Sequence, residues 1–132
     1  MNLFERAAIF TDIHFGEKLD SEVHNRDCLE FVEWFCAQTR VLDCDTVIFM
    51  GDWMHNRVRT ENRTAHYARL ALEMLDQLGL PIYWILGNHE IYFKHNRDIH
   101  SVQQLARYEN FILIDMITQI GEVVFSPWLV GD

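Results

Sequence analysis

Proline and glycine are sparse in this chain, two and six among 132 residues, and no proline-rich, glycine/serine-rich or repetitive stretch occurs. A flexible linker or low-complexity tail is therefore excluded. With 49% hydrophobic and 13% aromatic residues, the composition is that of a chain that folds around a core. The length suits one compact domain and is short for two. Long hydrophobic runs are also missing. The N-terminal segment MNLFERAAIF has only a brief apolar stretch with an acid in its flank, which fits neither a signal peptide nor a membrane span. The reading is a cytoplasmic protein without a membrane role.

Cysteine is scarce as well. Cys28, Cys36 and Cys44 are odd in number and lack the CxxC spacing of a zinc knuckle or redox pair, so reduced structural thiols are expected. Basic residues are outnumbered, 11 against 20 acids, for a net charge of −9. A protein that grips nucleic acid through its phosphates normally presents a basic surface, so charge alone argues against such a ligand. That argument weakens if some of the acids hold cations.

What is present is a pattern. Three short apolar runs, 7–11, 46–50 and 82–86, are rich in β-branched and aromatic residues and read as buried strands. Between the first two, Cys28, Phe31, Val32, Phe35 and Cys36 recur at helical spacing, and Trp34 is grouped with Phe31 and Phe35 as core of that helix. Between the second and third, Ala65, Ala68, Leu72, Leu75 and Leu78 do the same, with Gly79 and Pro81 as a stop signal. The β-α-β-α-β order predicts an α/β fold, a parallel sheet with helices on its face. A weaker helix is expected over 99–108 and further strands over 111–114 and 123–125.

Each of the first three strands is followed by polar residues able to bind metal: Thr11-Asp12-Ile13-His14-Phe15-Gly16, Gly51-Asp52-Trp53-Met54-His55-Asn56 and Gly87-Asn88-His89-Glu90. Ligands of open parallel sheets gather beyond the carboxyl ends of the strands, so the three loops are expected to converge. Their carboxylates, amide and imidazoles form an oxygen and nitrogen set suited to Mn, Fe or Zn. A carboxylate such as Asp52 can bridge two cations and hold them roughly 3.5–4 Å apart for in-line displacement at phosphorus. Gly51 and Gly87 would let the backbone turn sharply beside the ligands. His89, next to Asn88, can face the substrate and steady developing charge or protonate a leaving oxygen. Trp53 reads as packing near the metals.

Asp12-x-His14, Gly51-Asp52 and Gly87-Asn88-His89-Glu90, in this order and after strands, resemble the signature of the calcineurin-like metallophosphoesterases. Asp12-Ile13-His14-Phe15-Gly16 is similar to the DxHxG opening of the SbcD-type nucleases of DNA repair and recombination, phage recombination endonuclease subunits among them. Gly51-Asp52-Trp53-Met54-His55 resembles their GDxxH, where protein serine/threonine phosphatases carry GDxxDRG. Glu90 points instead toward phosphatases, and Phe125-Ser126-Pro127-Trp128 looks like the strand and turn that follow in the phage nucleases.

The resemblance implies two divalent metal ions, manganese first, with Asp12 and His14 on one, Asp52 bridging and Asn88 on the other. It makes His89 the catalytic histidine and His55 a contact to the scissile phosphate. It implies a metal-dependent DNA exonuclease or endonuclease subunit, acting on DNA as a homodimer with an SMC-like ATPase, in a host cytoplasm if phage-encoded. The alternatives on the same fold are a phosphomonoesterase or small-molecule phosphodiesterase, and an inactive assembly module. The isolated His and GHxH motif that complete the family's sites are not found after His100. Residues 1–132 are therefore expected to form the N-terminal part of a single metallophosphoesterase domain, with its second sheet incomplete.

Other features read more plainly. Taken singly, Asp12 is a cap and Asp52 a turn residue, and the three-motif array is what argues otherwise. His24, His66, His95 and His100 are scattered, with solvated or capping roles expected. Arg57, Arg59 and Arg63 cluster after the second motif, where they could meet phosphates.

Overall fold

Val47, Ile48 and Phe49 are apolar on both sides of the backbone, which only a strand covered on both faces can satisfy. The computed structural model, which describes residues 2–17, 21–54, 62–85 and 108–127, places them in such a strand. Its elements are β1 (Ala7–Phe10), α1 (Glu22–Val41), β2 (Thr46–Phe49), α2 (Asn62–Asp76), β3 (Ile82–Ile85), β4 (Phe111–Ile114), β5 (Thr118–Ile120) and β6 (Val123–Phe125). The first four strands form a parallel sheet in the order β1-β2-β3-β4, and β5 pairs antiparallel with β6. The expected α/β, β-α-β-α-β core is thus present. β5 was not anticipated, and the expected helix over 99–108 lies outside the described residues except for Tyr108, which is not helical.

Alternation along the strands sorts their side chains onto two faces. Phe10, Val47, Phe49, Ile82 and Trp84 meet Val32, Phe35, Leu72 and Leu75 of the helices, while Ile48, Tyr83, Ile85 and Ile114 meet Phe125 of the hairpin. Tyr83 and Phe125 stack with ring centroids 5.2 Å apart. Each fully buried side chain of this kind contributes roughly 1.5–3 kcal/mol. The helices therefore cover one face of the sheet and the two-stranded ribbon part of the other.

Helix α1 starts at Ser21, whose hydroxyl caps the N–H of His24, and carries Glu22 in its first turn and Arg40 in its last, as the helix dipole favours. It ends in a Schellman motif: the Cys44 N–H reaches the Thr39 carbonyl, the Asp43 N–H reaches that of Arg40, and Asp43 is left-handed at φ 54°. Helix α2 ends at Asp76, and Gly79, the expected stop signal, follows three residues later with φ 69°.

Helix α1 buries less of its aromatic cluster than the spacing predicts. Cys28, Val32, Phe35 and Cys36 are buried, but Trp34 is 57% exposed and Phe31 38% exposed. The buried stripe runs instead through Asn25, Cys28, Val32, Phe35, Cys36 and Thr39, which rotates Phe31 and Trp34 to its border. Among the described residues, no helix is long and apolar enough to cross a membrane.

Candidate metal centre

Pairing between β1 and β2 continues past both strands. Met50 donates to the Phe10 carbonyl, Asp12 to Gly51, His14 to Asp52 and Phe15 to Trp53, at 2.8–3.0 Å, and Phe15 and Met54 form a further parallel bridge. The two loops are therefore zipped together by their own backbones. Ile13, Phe15 and Trp53 point into the core, and the Trp53 ring packs on Phe15, Phe49 and Trp84. With these apolar side chains anchored inward, Asp12, His14 and Asp52 are left at the rim.

All three rim residues are left-handed, at φ 58°, 58° and 63°. Outside glycine, Asp, Asn and His tolerate this region best, and such clusters of strain occur where the surrounding structure over-determines a site. Gly51, with φ 112°, makes the turn into Asp52 that a side chain would resist.

One ligand atom from each of Asp12, His14 and Asp52 lies within 4.8 Å of the others. His14 Nε2 is 3.2 Å from Asp12 Oδ1, and the Thr11 hydroxyl donates to Asp12 Oδ2 at 2.7 Å. The Asp12 carboxyl is held below the usual range, first by that Thr11 hydroxyl, and further by its contacts with Asp52 and His14 against the opposing effect of burial. Two carboxylates this close repel unless a proton or a cation lies between them. The donor set, two carboxylates and an imidazole with no thiolate, matches a divalent first-row cation.

Helix α1 holds the first loop from behind. Asn25, fully buried, accepts from the Gly16 N–H at 2.8 Å and donates to the Thr64 hydroxyl of α2 at 2.8 Å. His24 Nε2 is 2.9 Å from the His14 carbonyl oxygen, and the Cys28 thiol donates to the Ile13 carbonyl. His24 is thus a loop anchor, not the solvated or capping residue expected; a histidine one turn into a helix gives no sequence sign of reaching back to the preceding loop. Asn25 and Thr64 were likewise missed, since a polar residue on a helix reads as surface until its partners are seen. Cys28 and Cys36 are buried free thiols, as expected.

The structure brings together Asp12, His14 and Asp52 from the sequence-derived set. Asn88, His89, Gly87, Glu90, His55, Arg57 and Arg59 lie outside the described residues. Arg63 is described, and its exposed guanidinium lies 3.4 Å from Glu22 of α1.

A family model for calcineurin-like phosphoesterases matches residues 5–132, nearly the whole chain. The chain belongs to the calcineurin-like phosphoesterase family. The chain is 26% identical over 123 residues to Exonuclease subunit 1 of Enterobacteria phage T4, a match covering 89% of the chain and 36% of that protein. It is 35% identical over 80 residues to the DNA double-strand break repair protein Mre11 of Haloferax volcanii, covering 60% of the chain and 18% of that protein. The chain thus spans about a third of the first relative and under a fifth of the second. Calcineurin-like phosphoesterases use divalent metal ions, and the Asp12, His14 and Asp52 group fits that use.

Proposed function

We propose that this chain carries part of the catalytic centre of a metal-dependent DNA nuclease acting in repair or recombination. The observation that carries the reading is the convergence of Asp12, His14 and Asp52 at the joined ends of β1 and β2, in a chain similar to a phage exonuclease subunit and to a break-repair protein. Asp12 and His14 would hold one cation, Asp52 would bridge, and Asn88 would hold the second. Manganese is the favoured metal among those the donor set accepts. Bound cations would supply Lewis acidity toward phosphate oxygens and a nucleophile near neutral pH.

The chain's own residues then have separate tasks. The left-handed backbone and the anchors from α1 fix the ligands before metal arrives, so little ordering is left for binding. His89 would give a proton to the leaving oxygen, and His55 would contact the scissile phosphate. DNA is the substrate in this reading, with a second copy and an SMC-like ATPase as partners.

A second reading, a phosphomonoesterase or small-molecule phosphodiesterase, is favoured by the net charge of −9, which opposes a polyanion. The deciding experiment is manganese-dependent hydrolysis of an end-labelled DNA duplex beside nitrophenyl phosphate. Cleavage of DNA supports the nuclease. Hydrolysis of the small ester with DNA left intact selects the alternative.

A further inference from the structure

A cavity of about 280 Å³ opens beside the cation group, between the loop after β1 and helix α1. It shares Asp12 with that group, and Thr11, Ile13, Asp27, Cys28 and Phe31 complete its described walls. The volume falls just below the roughly 300–1,000 Å³ of pockets for drug-sized ligands, which leaves room for one planar heterocycle.

Two walls define the chemistry. Phe31 keeps 38% of its surface exposed although its ring is braced by Phe10, Trp34 and Phe35, with centroids 6.3, 5.9 and 6.3 Å away. A braced but uncovered ring is a stacking surface, and Trp34, 57% exposed, extends the aromatic surface along the helix. The other wall is Asp27, an exposed residue that none of the ion pairs among the described residues uses. An ionised carboxylate only accepts hydrogen bonds, so it repels phosphate and favours a ring edge bearing N–H donors.

We propose that this groove is a base subsite, taking the nucleobase next to the phosphate at the metal centre, stacked on Phe31 and read by Asp27. The proposal rests on the nuclease reading and adds a specificity to it. Guanine presents two neighbouring N–H donors on one edge and suits a single carboxylate best. Adenine and cytosine present one amino group, and thymine offers a lone N–H between two carbonyl oxygens. The subsite therefore ranks guanine above adenine and cytosine, and thymine last.

The test is a titration of the isotope-labelled chain in Mg²⁺ with dGMP, dTMP and deoxyribose 5-phosphate, read by NMR. dGMP should move the Phe31 ring signals at roughly tenfold lower concentration than dTMP, the scale of one bidentate base contact. The sugar phosphate should leave them in place. Asp27→Asn should erase the difference between nucleotides, and Phe31→Leu, which keeps bulk in the groove, should weaken both. Equal affinity for dGMP and dTMP, or an Asp27→Asn variant that still prefers dGMP, overturns the subsite. Cleavage of DNA with no base preference would sink the subsite and spare the nuclease. Selective dGMP binding at Phe31 together with hydrolysis of nitrophenyl phosphate but not of DNA would keep the groove and remove the nuclease reading.

Discussion

Asp12, His14 and Asp52 hold φ between 58° and 63°, a region that costs a side-chain-bearing residue about 1–2 kcal/mol. Function and stability are therefore opposed at these positions. Replacing Asp52 with glycine should raise the metal-free chain's unfolding free energy by up to about 1 kcal/mol, after allowing for glycine's larger chain entropy. Manganese affinity should fall by at least about 100-fold, since even indirect partners of metal ligands are worth 10–100-fold. Denaturant titration and calorimetry measure the two, and a loss of stability on this substitution would contradict the strain account. Asn25→Ala should behave oppositely on stability. It leaves the Gly16 N–H and the Thr64 hydroxyl without their Asn25 contacts in a buried place, and should cost about 1–3 kcal/mol while also lowering metal affinity. The ligand types at Asp12, His14 and Asp52 were legible in the sequence because their chemistry is in the letters. Their left-handed backbone and the support from His24, Asn25 and Thr64 were not, because both arise from contacts between separate elements that only the fold brings together.

At the level of elements, β1, β2, α1 and α2 were legible because apolar periodicity reports burial directly. The exposed border of α1 was not. A 20-residue helix carrying four aromatic or large apolar residues in the 31–35 stretch can turn its buried stripe by a fraction of a turn without losing much burial, and the partner α2 decides which way. The end of α1 offers a test of a simpler kind. Asp43 occupies the left-handed position of a Schellman motif that glycine fills at less strain. Asp43→Gly should stabilise the chain by about 0.5–1 kcal/mol in urea unfolding and leave metal binding unchanged, unlike the glycine at position 52. An Asp43→Gly variant no more stable than its parent would mean that the carboxylate makes up for the backbone.

Across the whole molecule, the thiols report how tightly the helical face is closed. Burial pushes Cys28 up to about 11, helped by Asp27 and Glu17, and pushes Cys36 to about 11 as well. Near pH 8 only roughly one in a thousand of such thiols is ionised, and the thiolate is the reactive form. A disulfide reagent should therefore label Cys44, which is only partly buried, well before Cys28, which borders the groove, and reach Cys36 at the rate of unfolding. Reaction of Cys36 as fast as Cys44 without denaturant would show that α1 opens on its own. Strand β1 bears on how copies of the chain meet. Among the described residues it pairs only with β2, and Ile9 on it is 55% exposed. A strand edge of that kind is a template on which another chain can lay itself, and the surplus of acids keeps copies apart only while their fields reach across solvent. That reach shrinks from about 30 Å in 0.01 M salt to about 3 Å in 1 M salt. Ionic strength, more than concentration, would then govern the colloidal behaviour of this chain, keeping it dispersed in dilute buffer and adhesive in brine.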